Sequence, residues 1–105
     1  MVEIPNKVRE TIDRYILLLE ENNIPIKSLY LYGSYAKGTS RRFSDIDIAI
    51  VSKEFEGVRI RDRKKIRSIT LQASSELEVI PFNPEDFSVD NPFAREIIET
   101  GIKII

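Results

Sequence analysis

Asp45 and Asp47 stand two residues apart at the head of an apolar run, Ile46, Ile48, Ala49, Ile50 and Val51. Alternate side chains of a β-strand share a face, so this spacing predicts two carboxylates pointing the same way. Like charges that close repel each other. A site that keeps both ionised usually supplies a cation, most naturally magnesium, which takes oxygen ligands and substrate phosphates. Upstream, in the stretch GSYAKGTSRRFSDIDIAI, ten residues separate the pair Gly33 and Ser34 from Asp45. Glycine there permits a positive φ and lets a phosphate approach main-chain N–H groups that a Cβ would obstruct. Ser34 adds a hydroxyl and another N–H. A phosphate-holding turn joined to two metal-competent carboxylates points to nucleotide chemistry.

The surrounding pattern predicts the elements that must position these groups. Val8, Ile12, Tyr15 and Leu19 recur at helical spacing after Pro5 and Asn6, and Asn22, Asn23 and Pro25 close the pattern, giving a helix over 6–22. Ile26 to Tyr32 is short, apolar and aromatic, a strand that delivers the Gly33 turn. Tyr35 to Lys37 forms a short helical turn, and Lys37 is a candidate to reach a triphosphate. After the second strand a helix over about 58–74 carries Ile66, Ile69 and Ala73 as its apolar stripe. Basic charge gathers here: Arg41 and Arg42 in the loop, then Arg59, Arg61, Arg63, Lys64, Lys65 and Arg67. A solvated helix face accounts for such a run, with nucleotide or partner contact as the other reading. Glu76 to Pro81 forms a third strand with Glu76 and Glu78 on one face, and one of them is the candidate third carboxylate; the alternative is the wet face of an edge strand. Asn91 as cap, Pro92, Phe93, Ala94, Ile97 and Ile98 define a last helix ended by Gly101, followed by a short strand over Ile102 to Ile105.

Composition narrows the chemistry. The 105 residues contain no cysteine and no histidine, which excludes disulfides, thiolate chemistry, Ser-His-Asp catalysis and histidine-held zinc. Any general base is then a carboxylate, a lysine, a tyrosine or water. With 16 basic and 17 acidic residues, net charge gives no argument for nucleic acid or an anionic membrane. No apolar run is long enough to span a bilayer and the N-terminus has no signal-peptide pattern, so a cytoplasmic protein is expected. Residues 1–105 are expected to form one α/β domain, a small mixed sheet with helices packed on one side and the carboxylates on its exposed face. Such a domain leaves no room for a second wall to the site, so association with another copy or another protein is expected.

The joint spacing of Gly33-Ser34 and Asp45-x-Asp47 resembles the signature of the nucleotidyltransferase superfamily related to DNA polymerase beta, and within it the minimal nucleotidyltransferase, or MntA-like antitoxin, family. The resemblance covers most of the chain. It implies the polymerase beta-like fold, with Gly33 and Ser34 holding the β and γ phosphates and Asp45 and Asp47 binding magnesium, two ions with manganese as a substitute. The family places a third acidic residue, generally aspartate, on a strand before two apolar residues and often proline. Glu78-Val-Ile-Pro-Phe fits that frame with a side chain one methylene longer.

The implied activity is transfer of AMP from ATP to a hydroxyl, with a tyrosine of a cognate HEPN-domain toxin as acceptor. Asp45, Asp47 and Glu78 would be the catalytic and metal-binding residues, and Gly33, Ser34 and Lys37 would bind the nucleotide. The rival reading is a catalytically weak adaptor that neutralises a HEPN partner by forming a complex. Direct binding of nucleic acid through Arg59 to Arg67 ranks last, because no aromatic residues are interleaved there.

Overall fold

The computed structural model describes residues 3–41 and 44–105, so Arg42 of the basic cluster lies outside the described residues. Helix α1, Asn6–Glu21, buries Val8, Ile12, Tyr15 and Leu19 along one face. It ends where Asn23 adopts φ 61°, a left-handed conformation asparagine tolerates, and the Ile24 N–H donates back to the Leu19 carbonyl. Strand β1, Ser28–Tyr32, follows. It starts two residues later than the apolar run implies, and Ile26 packs half-buried against the core. Next come the one-turn helix α2, Ser34–Lys37, and strand β2, Ile46–Val51. Helix α3, Arg59–Ala73, leads to strand β3, Leu77–Phe82. Helix α4, Pro92–Thr100, is capped by the Asn91 side chain, which accepts from the Phe93 and Ala94 N–H groups. It runs into strand β4, only Ile102–Lys103. Among the described residues no helix is long and apolar enough to cross a membrane.

The sheet has strand order β3-β2-β1-β4. β1 is antiparallel to β2 and to β4, while β2 and β3 run parallel. The near-continuous apolar sequence of β2 suits its interior place, where both faces are covered. Pro81 can sit in β3 because that strand is an edge and one side of its backbone needs no ladder donor.

The mixed α/β architecture is the expected one, but the helices are not confined to one side of the sheet. Ile46, Ile48, Ile50, Leu77 and Val79 join α1 and α3 in one core. The alternate residues Ala49, Val51, Ile80 and Phe82 form a second core with Ala94 and Ile97 of α4. Both parities of β2 and β3 are apolar, so each face needs a cover, and α4 with the segment before it supplies the second. Phe87 packs there on Tyr30 and Phe82, and Phe93 packs on Tyr32 and Phe82. The carboxylate face is therefore half covered, and open only at one end.

Candidate active site

Strand register assembles the site. Tyr32 on β1 lies opposite Asp47 on β2, and Asp47 lies beside Glu78 on β3. Residues opposite each other across a sheet share a face, so Tyr32, Asp47 and Glu78 form a row. The next row inward is Tyr30, Ala49 and Ile80, already under the α4 cover. The polar row is thus the last one before the sheet opens to solvent. Asp45, one residue before β2, is exposed, as is Glu78, while Asp47 and Tyr32 are half-buried.

Gly33 closes the row from the side of β1. Its φ of 73° and ψ of −148° lie in a region open essentially to glycine alone. The space that a Cβ would fill is taken by the carboxylate of Asp47. The Gly33 carbonyl accepts from the Ala36 and Lys37 N–H groups, starting α2. The N–H groups of the two preceding residues, Ser34 and Tyr35, have no partner within a helix that begins there. Lys37 points toward α4, with its Nζ 3.9 Å from Glu96 Oε1.

Electrostatics reflect the crowding of charge. Burial, then the negative charges of Asp45 and Glu78, hold the Asp47 carboxyl above the ordinary carboxylate range. The Tyr32 hydroxyl is pushed up to about 12 by burial and by Asp47 and Glu78, with Arg63 and Arg59 opposing. Glu78 is engaged by Arg63, Nη2 to Oε1 3.6 Å. The Arg59 guanidinium stands over the Phe93 ring, 5.9 Å from its centroid. Of the two glutamates considered, Glu76 turns instead to Lys7 of α1, 3.6 Å away. Two members of the basic run, Arg59 and Arg63, one turn apart on α3, therefore reach the site's margin.

The donor set suits a hard cation. Asp45 and Asp47 offer oxygen ligands in mutual repulsion, which a divalent ion relieves. Among the described residues no three acidic side chains converge into a ready-made cage. The candidate third carboxylate, Glu78, is turned into its ion pair. Tyr32, Arg59 and Arg63 were not singled out as site residues from the sequence. Tyr32 carried one usable signal, its place directly before Gly33.

A half-open sheet end, a glycine turn and neighbouring carboxylates are groups suited to phosphate and divalent-cation chemistry. Residues 12–105 match the nucleotidyltransferase domain model, and the chain belongs to that family. It is similar to MJ1305 of Methanocaldococcus jannaschii, which bears a protein adenylyltransferase designation, at 36% identity over 74% of this chain and 56% of that protein. It is similar also to the protein adenylyltransferase MntA of Shewanella oneidensis, at 43% identity over 40% of this chain and 30% of that protein. The chain spans little more than half of the first relative's length and under a third of the second's. Among solved structures, a toxin–antitoxin crystallised with AMP-PNP superposes with TM-score 0.56 at 27% identity, covering 89% of this chain and 71% of that one.

Proposed function

We propose that this protein transfers AMP from ATP to a hydroxyl of a protein, in the manner of a protein adenylyltransferase. The observation that carries the reading is the row of Asp47 and Glu78 at the open sheet end, with Asp45 beside it and the Gly33-Ser34 turn against Asp47. Names of relatives and the AMP-PNP-bound neighbour support it. In the reaction the acceptor oxygen attacks the α-phosphorus, a new O–P bond forms, and the bond from that phosphorus to the pyrophosphate oxygen breaks. Gly33 and Ser34 would hold the β and γ phosphates, with Lys37 a candidate to join them once it leaves Glu96. Asp45 and Asp47 would hold the divalent cation, magnesium or manganese, with Glu78 completing the set on release from Arg63. When bound, such a cation neutralises triphosphate charge and lowers the pKa of the attacking hydroxyl. Glu78 would also help accept the departing proton.

The acceptor, in this reading, is a tyrosine of a cognate HEPN-domain toxin, with a cytoplasmic setting. The test is intact-mass spectrometry of that partner, coexpressed with this chain and incubated with magnesium and ATP. A mass increase matching AMP, absent with Asp45→Asn/Asp47→Asn, supports transfer; a stable complex without any increase rejects it. A second reading, an adaptor that binds the partner without turnover, draws on the Arg63–Glu78 ion pair, which occupies the third carboxylate.

A further inference from the structure

We propose that the groove between α3 and the outer edge of β3 docks an acidic amphipathic helix of the acceptor protein, leading it to the open sheet end. The groove has a volume of about 480 Å³, and it runs from Ile60 to Leu71 along α3, with Leu77, Glu78 and Val79 of β3 opposite. Ile60 and Leu71 are 74% and 61% exposed, although the core of α3 is already supplied by Ile66, Ile69 and Ala73. Positions 60, 63, 64, 67 and 71 recur at helical spacing, so they form one face, roughly 16 Å long at 1.5 Å per residue. That is about three turns of a partner helix.

Charge decides what fits. Between the two aliphatic ends stand Arg63, Lys64 and Arg67, and the one carboxylate in the lining, Glu78, is paired with Arg63. Among the described residues Lys64 and Arg67 make no ion pair. The complement is a helix with acidic residues at its centre and aliphatic residues at its ends, a recognised way of laying a helix into a groove. Nucleic acid fits less well, since no aromatic side chain lines the groove to stack a base. An added β-strand is disfavoured by Pro81 in the edge strand. Position gives the groove its meaning: its β3 wall includes Glu78, the register partner of Asp47.

The inference deepens the protein-modifying reading, and its test needs no turnover. A fluorescein-labelled peptide of about three helical turns, leucine at both ends of one face and glutamate between, is titrated into the Asp45→Asn/Asp47→Asn protein without nucleotide. A peptide with lysine replacing glutamate and a single-stranded RNA serve as comparisons. The expected result is saturable binding of the glutamate peptide alone, with amide shifts at 60–71 and 77–79. Affinity should fall about tenfold or more, roughly 1.4 kcal/mol, in Ile60→Ser/Leu71→Ser and in Lys64→Glu/Arg67→Glu, whose melting temperatures confirm folding. No saturable binding, equal binding of the lysine peptide, tighter binding of RNA, unchanged affinity in the variants, or shifts confined elsewhere would each overturn it. Peptide binding as expected, together with no AMP transfer to the partner by the unsubstituted protein, would reject the enzymatic reading and leave the groove standing.

Discussion

The carboxylate of Asp47 lies against the Cα of Gly33, in the space where any other residue would carry its Cβ. The turn and the acid are thus one unit: the bare backbone that can admit a phosphate is also what lets Asp47 stand at the end of its strand. Gly33→Ala should therefore suffer twice, from the positive φ of 73° and from the collision. A loss of about 2 kcal/mol or more is expected in urea unfolding. Gly33→Ala/Asp47→Ala should recover the collision part and keep the backbone part, a coupling of about 0.5 kcal/mol or more. Strict additivity of the two substitutions would contradict the shared space.

Asp47 also sets a pH dependence. Its carboxyl titrates above the ordinary value of 3.8 because of burial and the charges of Asp45 and Glu78. A folded-state value above the unfolded one means the folded chain binds the proton more tightly. The contribution to stability is then fully present below 3.8 and is lost as pH rises through the higher folded value. Asp47→Asn removes that loss, so it should raise the melting temperature at pH 7, and the gain should vanish as the pH falls below the unfolded value. A gain that persists unchanged in acid would show that charge is not its source.

If Asp45 and Asp47 hold a divalent cation, adding magnesium should stabilise the folded chain. At about one hundred times its dissociation constant the increment is about 2.7 kcal/mol, and chelation should reverse it. Differential scanning fluorimetry of the parent and of Asp45→Asn/Asp47→Asn separates specific binding from a general salt effect. Equal shifts in both would place the ion elsewhere.

Asp62 carries a different role that its place in a basic run conceals. It is fully buried, and its Oδ1 and Oδ2 accept from the Glu56 and Gly57 N–H groups at 2.8 and 2.9 Å. The acid thereby folds the β2–α3 connection back onto the helix that presents Arg59 and Arg63 to the site. Asp62→Ala leaves two donors unpaired and should cost about 3 kcal/mol by chemical denaturation, with Asp62→Asn between it and the parent. A neutral Asp62→Ala would show that those N–H groups find water instead.

Much of this architecture is legible locally. Helical periodicity from Val8 to Leu19, the Asn91-Pro92 cap and the apolar run after Asp45 each depend on contacts within a few residues, so the sequence determines them. The same holds for Gly33 as a positive-φ turn and for Asp45 and Asp47 as neighbouring charges. Tertiary structure decided what depends on partners far along the chain. Strand register placed Tyr32 and Glu78 on either side of Asp47, and no spacing within one segment encodes a register between segments. Alternation in β2 and β3 shows two apolar faces, yet only packing sent α4 to one and α1 with α3 to the other. The basic run looked uniform in sequence because charge alone carries no direction. The edge of β3 turned Arg63 to Glu78 and left Lys64 and Arg67 along the groove.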